Sequence, residues 1–146
     1  MKKQWVVIGI LGAVLAALII GFGIYGGNSQ IPFTPVAEKS LPRELETEVI
    51  PQYREIERAL ACRIGDGIYV LAMRGEKPTS GYEIQIAELE LVTEKQQTKL
   101  VVYADFVDPA KPENMARVKS YPVSVVKAEL RGLPDKIELK ARYPKE

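Results

Sequence analysis

The sequence predicts a mainly β domain that follows an N-terminal transmembrane helix. An uncharged run opens the chain, alternating apolar and polar residues dominate its second half, and glycine and proline separate the alternating stretches. Alternation with a period of two is typical of half-buried strands. We therefore expect a mainly β (α+β) fold, either an antiparallel β-sheet or a small immunoglobulin-like sandwich, with one packed helix.

The first element is an uncharged run from Trp5 to Tyr25, which follows Lys2 and Lys3. A helix needs about 20 residues to cross the hydrocarbon core of a bilayer. The apolar region of a cleaved signal peptide is shorter, about 7 to 15 residues. We expect an uncleaved signal anchor over 5–27. Its lysines should stay in the cytoplasm, so that the rest of this single-pass protein of the cell membrane is extracytoplasmic.

Small residues recur at every fourth position of this anchor, at Gly9, Ala13, Ala17 and Gly21. Such a stripe lets a second transmembrane helix approach closely, which would make a helix-helix contact. The alternative is that glycine and alanine are simply common in anchors. The sequence leaves both interpretations open.

A proline-containing segment comes next, with Pro32, Pro35 and Pro42 among few large apolar residues. This composition favours an extended spacer. The chain is therefore expected to divide into a cytoplasmic tip at 1–4, the anchor at 5–27, a linker at 28–44 and an extracytoplasmic domain at 45–146.

The domain is expected to begin with a helix from Thr47 to Arg63. Its apolar residues Val49, Tyr53, Ile56 and Leu60 recur at helical spacing. The run Gly65-Asp66-Gly67 should end this region. Cys62 would then be a small, partly buried residue near the end of the helix.

Strands are expected almost throughout the rest of the chain. In the second of them the apolar phase shifts, which indicates a β-bulge near Ala87 or Glu88. The first three strands should form a meander, and a long loop should follow from Asp108 to Ser120. The expected strands are Ile68 to Arg74, Tyr82 to Glu94, Leu100 to Val107, Tyr121 to Lys127 and Lys136 to Arg142.

The loop from Gly75 to Gly81 has the features of a binding loop held on a rigid sheet. Pro78 fixes its own φ, and the two glycines can take positive φ at little steric cost. The alternative is a plain hairpin connection. Candidate partner-binding residues are Lys77, Pro78, Thr79, Ser80, Gly81, Tyr82, Tyr121 and Pro122.

Composition excludes several kinds of chemistry. The chain has no histidine, so it has neither a Ser-His-Asp nor a Cys-His constellation and no imidazole metal ligand. Its one cysteine cannot form an intramolecular disulfide. With 20 basic and 19 acidic residues, it lacks the charge footprint of a nucleic-acid-binding protein. Ser-Lys and carboxylate pairs stay open without specific spacing, and we expect no enzyme, cofactor or metal site.

Four stretches together resemble the C-terminal domain of PrcB, a protease complex subunit. They are the run from Gly75 to Tyr82, Ile84-Gln85-Ile86, Asp108-Pro109 and Ser120-Tyr121-Pro122. The resemblance covers roughly 67–130. It implies a small exported or membrane-anchored domain that binds and stabilises a subtilisin-like protease, without being a protease itself.

A shorter stretch, Pro78-Thr79-Ser80-Gly81-Tyr82, is similar to a loop of the chagasin-type cysteine protease inhibitors, which are immunoglobulin-like sandwiches. That similarity implies contact between the loop and a protease cleft. Two functions therefore stay open. One is a membrane-anchored, extracytoplasmic protein-binding module that stabilises or inhibits a protease. The alternative is a structural or envelope-assembly protein in which the loop is only a turn.

Overall fold

In the computed structural model, the backbone is described for residues 5–8 and 27–144, and side chains for residues 28–144. The strands, in chain order, are β1 (Trp5–Ile8), β2 (Gly27–Gln30), β3 (Phe33–Pro35), β4 (Glu57–Ile64), β5 (Gly67–Arg74), β6 (Glu83–Glu94), β7 (Gln97–Val107), β8 (Val123–Ala128) and β9 (Lys136–Arg142). A π-helical turn at Leu45–Val49 continues into a short α-helix, α1, at Ile50–Tyr53, and 3₁₀ turns lie at Glu38–Ser40 and Pro112–Asn114.

The described strands form two sheets. The first sheet has the order β1-β4-β5-β8-β3, and the second has the order β2-β6-β7-β9. Neighbouring strands are antiparallel, except that β9 runs parallel to β7. The expectation of a mainly β fold is confirmed, and its two-sheet form is the one observed.

The first sheet is buried on both of its faces. Ala59 and Ala61 of β4 face the second sheet and join the core between the sheets. Leu60 and Cys62 of the same strand face the other way, where they pack with Leu45 of the π-helical turn. Fully burying a large aliphatic side chain contributes about 1.5–3 kcal/mol. Apolar residues on both faces explain why β4 lacks the alternation of a half-buried strand.

The helix expected from Thr47 to Arg63 is therefore wrong over most of its length. Helical structure ends at Tyr53, and the second half of the expected helix is β4. Of the residues that set the helical spacing, Val49 and Tyr53 do lie in the helical turns, whereas Leu60 belongs to the apolar middle of β4, which is buried on both faces. Cys62 lies inside this strand and is fully buried, rather than partly buried near a helix end. Its burial raises the pKa of its thiol to about 12.

The expected meander is also wrong, because β5 and β6 lie in different sheets. Pairing of β6 with β7 is confirmed, as is the bulge, since the register shifts between Ile86 and Glu88. Lys95 and Gln96 both have positive φ, as in the type I′ turns of two-residue hairpins. The strand expected from Lys136 to Arg142 has the observed bounds of β9.

The N-terminal segment differs from the expected anchor where it is described. Trp5–Ile8, the start of that anchor, is strand β1 rather than helix. Residues 9–26, with the small-residue stripe of Gly9, Ala13, Ala17 and Gly21, lie outside the described residues. Across the part of the chain that the structure describes, every helix is too short or too polar to cross a bilayer.

The segment expected as a linker at 28–44 contributes to both sheets. β2 pairs with β6, and β3 pairs with β8. The Ile31 N–H also donates to the Leu89 carbonyl at 3.0 Å. Its two strands are extended because they pair with one strand in each sheet, whereas Glu38–Ser40 form a 3₁₀ turn.

Candidate functional site: two braced loops at one end of the sandwich

Two loops cross between the sheets at the same end of the sandwich. The first crossover loop, residues 75–82, leads from β5 in the first sheet to β6 in the second. The second crossover loop, residues 108–122, leads from β7 in the second sheet back to β8 in the first. Because β6 and β7 pair through Glu83 and Val107 at this end, the two loops start side by side.

Backbone hydrogen bonds join the two crossover loops. Lys77 and Ser120 form an antiparallel bridge, in which each N–H donates to the other carbonyl at 2.9 and 3.0 Å. The Ser80 N–H donates to the Ala116 carbonyl at 3.1 Å. The first loop is therefore not a plain hairpin connection, since its partner is a segment far along the chain.

Hydroxyl groups add to this bracing. The Ser120 hydroxyl donates to the Thr79 carbonyl at 2.8 Å, and the Ala116 N–H donates to Ser80 Oγ at 3.2 Å. Thr79 Oγ1 donates to the Ser80 carbonyl at 2.9 Å. Thr79 and Ser80 are half-buried, whereas Pro78 is exposed. Of these three predicted contact residues, Pro78 is the one most available to a partner, and the other two help to fix the loops.

Gly81 allows the two loops to pack closely. Its φ is +95°, and a Cβ built there would lie 2.7 Å from Met115 Sδ and 3.0 Å from the Cβ of Pro109. Gly75 also has a positive φ, of +84°, beside the backbone of Glu57. Both glycines thus have the positive φ that the loop sequence predicted, and Gly81 has a packing constraint in addition.

Tyr121 and Pro122 lie at the end of the second crossover loop. The Tyr121 hydroxyl donates to Glu76 Oε1 at 3.0 Å, and this hydrogen bond is the main reason that the pKa of Tyr121 is raised. The Arg54 guanidinium lies 4.1 Å from the centre of the Tyr121 ring. The Pro122 carbonyl accepts the Arg74 N–H at 3.1 Å. Tyr121 is therefore fixed from two sides, and Pro122 supports the sheet just before β8.

Arg74 is the residue that sequence reasoning missed. Its side chain is buried, and its guanidinium donates to the Glu83 carbonyl at 3.2 Å and to the Val107 carbonyl at 3.1 Å. It also forms an ion pair with Asp108 at 2.7 Å. One side chain therefore holds the points where both crossover loops meet the second sheet. The available signal was a cation at the end of the apolar run that precedes Gly75.

Aromatic rings lie over and beside this cation. The Arg74 guanidinium is 4.5 Å from the ring centre of Phe106 and 5.2 Å from that of Tyr82. The Lys77 ammonium lies 5.5 Å from the Tyr82 ring centre. Tyr82 is therefore oriented by two cations, and it remains half-exposed. All eight predicted contact residues belong to the two crossover loops, which together with Arg74 are called the loop cluster below.

Large apolar side chains are exposed at the same end. Val118 of the second loop is 58% exposed, and Ile56, whose backbone lies against Gly75, is 63% exposed. Lys119 forms an exposed ion pair with Glu76 at 3.5 Å. Within residues 28–144, no group of three or more His, Cys, Asp or Glu side chains is placed to hold a metal ion. The cluster presents a braced surface of mixed apolar and charged character.

The fold and this cluster define a small β-sandwich domain with two mutually braced crossover loops at one end. Residues 68–129, which contain β6, β7, β8 and both loops, match the family model described as PrcB C-terminal. The match confirms the resemblance found in the sequence. No curated protein and no solved structure is significantly similar to this chain.

Proposed function

We propose that this protein is a membrane-anchored, extracytoplasmic protein-binding module that associates with a protease and stabilises or inhibits it. The observation that carries the proposal is the PrcB C-terminal match, because it spans both crossover loops and the strands that hold them. PrcB is a protease complex subunit. A role in binding a protease is therefore favoured over catalysis by this chain.

The bracing of the loops supports a role in binding. Ordering a flexible side chain at an interface costs about 0.5–1.5 kcal/mol, and ordering a loop adds to that cost. Here the bridge between Lys77 and Ser120 and the contacts of the Arg74 guanidinium hold both loops in place before a partner binds. Burial of exposed apolar surface favours association, and Val118 offers such surface on the second crossover loop.

The membrane anchor is the second part of the proposal. It rests on Lys2, Lys3 and the uncharged run that follows them. Because β2 begins at Gly27, the anchor would leave little free chain before the sandwich. The domain would then lie close to the outer surface of the membrane.

Protease treatment of intact cells or spheroplasts tests this topology. Added proteinase K should degrade the domain and leave a small membrane fragment that contains the N-terminus. A domain that resists the protease in intact cells but is cleaved after lysis would contradict the topology, and so would a mature chain that begins after residue 20.

Co-purification tests the binding function. The tagged full-length protein should be solubilised from membranes in mild detergent, and a protease should co-purify with it. Deletion of the gene should change the abundance or activity of that protease, and a copy with an intact loop cluster should restore it. Recovery of only cell-wall or envelope-assembly proteins, with unchanged protease activity, would favour the structural alternative.

A further inference from the structure

The outer edge of β4 is a second feature of the fold, separate from the loop cluster. Strand β1 pairs with this edge in antiparallel register, from Trp5 opposite Ile64 to Ile8 opposite Ala61. Among the described residues, no strand pairs with the other half of this edge, from Glu57 to Leu60. The edge is thus longer than the strand that occupies it.

The chemistry of β4 differs from that of the outermost strands β3 and β9. An exposed strand edge usually carries proline or charge, which prevents pairing with another chain. β3 contains Pro35 and follows Pro32, while β9 carries exposed Lys140 and Arg142.

The middle of β4 has no such protection. Its residues Ala59, Leu60, Ala61 and Cys62 are apolar and buried, and they include no proline. The middle of β4 is therefore an edge that can pair with another strand.

Strand β1, which occupies this edge, is also part of the expected membrane anchor. Trp5–Ile8 are the first residues of the uncharged run that would form the membrane anchor. Without them the run shrinks to residues 9–25, at the short end of the range of about 17 to 25 residues that span a bilayer. In the proposed topology these residues are in the cytoplasmic half of the bilayer, whereas β4 is outside. The bilayer and the β4 edge therefore compete for the same segment.

We propose that the outer edge of β4 is a strand-binding site, which accepts an extended apolar segment of a partner protein when Trp5–Ile8 are in the membrane. This inference rests on the anchor in the proposed function. The segment would pair antiparallel with β4, as β1 does, and would be rich in β-branched or aromatic residues without proline. Main-chain hydrogen bonds would supply affinity, and the alternate side chains would supply specificity.

The full-length protein in nanodiscs of zwitterionic lipid is the material for the test. Trp5 is the chain's one tryptophan, so its fluorescence, recorded before any peptide is added, reports where this segment lies. Lipids brominated on their acyl chains should quench it when the anchor is inserted. The probe for the edge is a synthetic peptide of residues 2–8, whose two lysines keep it soluble, and its control is the same peptide with Val6→Pro.

Hydrogen exchange of residues 57–64, measured by mass spectrometry, reads out binding. Each strand of an antiparallel pair offers every second N–H to a given neighbour. The outward-facing amides of β4 should therefore exchange about tenfold or more slowly when the peptide is bound, since pairing removes them from water. The Val6→Pro peptide should give little protection, because Val6 pairs with Arg63, an outward-facing residue of β4, and proline at this position removes a ladder donor.

The two readouts separate the possible failures. Quenched Trp5 fluorescence together with protection by the native peptide alone supports the strand-binding site. Quenched fluorescence without protection overturns the site and leaves the anchor standing. Unquenched fluorescence with β4 already protected before any peptide is added overturns both the anchor and the proposed replacement of β1 by a strand of a partner.

Discussion

The two ends of the second sheet are closed in different ways. At one end β6 and β7 are joined by the two-residue turn of Lys95 and Gln96, which is made by neighbours in sequence. At the other end Arg74, Asp108 and the bridge between Lys77 and Ser120 join residues that are far apart in the chain. The turn needs only local geometry, whereas the loop cluster exists only after both sheets have formed. This difference suits a binding surface that depends on the folded domain.

The largest expected effect on stability comes from removing the Arg74 guanidinium, which holds both crossover loops. Arg74→Met should lower the free energy of unfolding by about 2–4 kcal/mol, because two backbone carbonyls lose a charged donor. The comparison at the hairpin end is Thr98→Val, which removes a hydroxyl bonded to Asp135. It should cost only about 1 kcal/mol, the usual net contribution of a hydrogen bond.

Denaturant unfolding measures both values, and hydrogen exchange locates their effects. Amides of Lys77, Ser80 and Ser120 should exchange faster in Arg74→Met than in Thr98→Val. Equal exchange of these amides in the two variants would show that Arg74 does not hold the loops.

The next effect separates backbone strain from loop packing. Gly81→Ala and Gly65→Ala both place a Cβ on a residue with positive φ, but a Cβ at Gly65 meets nothing within 4 Å. Gly65→Ala should therefore cost only the strain of left-handed backbone, about 1–2 kcal/mol. Gly81→Ala should cost more, since its Cβ also meets Met115 and Pro109.

Thermal or denaturant unfolding of these two variants gives the difference directly. If Gly65→Ala is as destabilising as Gly81→Ala, the close packing of the two loops contributes little to stability.

A smaller effect of opposite sign is expected at the hairpin. Gln96 has a φ of 67°, which glycine adopts without the cost that other residues incur. Gln96→Gly should therefore leave stability unchanged or raise it by up to about 1 kcal/mol. A clear loss in denaturant unfolding would mean that the Gln96 side chain makes a contact that matters.

The smallest effect is a change in titration. Glu76→Gln removes the carboxylate that accepts from Tyr121 and that raises its pKa. The pKa of Tyr121 should fall toward its ordinary value. NMR of tyrosines labelled at Cζ follows this change, and Tyr103, whose pKa is raised by a hydrogen bond to Glu90, serves as the internal control. An unchanged Tyr121 pKa would contradict the assigned cause.

The sequence predicted the local features of this fold well. Alternation and turn residues located β5 to β9, and the phase shift after Ile86 located the bulge. It failed for β4, because a strand buried on both faces shows no alternation. It also failed for the partners of β5, which are β4 and β8 rather than β6, since the pairing with β8 joins residues far apart in sequence. The parallel pairing of β9 with β7 was not predicted for the same reason, because it also joins segments that are far apart in sequence.

The candidate site was predicted in part for the same reason. Proline and glycine between Gly75 and Gly81 marked the first loop, and the PrcB resemblance added Tyr121 and Pro122. The inward roles of Ser80 and Arg74 were not predictable, because their partners Ala116 and Asp108 lie on the other loop.

Photocrosslinking in intact cells tests most directly whether the loop cluster is the surface that binds a protease. A photoreactive residue should be placed at Val118, or at Pro78, with Glu94 at the hairpin end as the matched control. Both loop positions and the control position are exposed. Crosslinks from the loop positions to a protease, absent from Glu94, are the result that we expect. Crosslinks to a protease from Glu94 alone, or to envelope-assembly proteins from every position, would contradict the account.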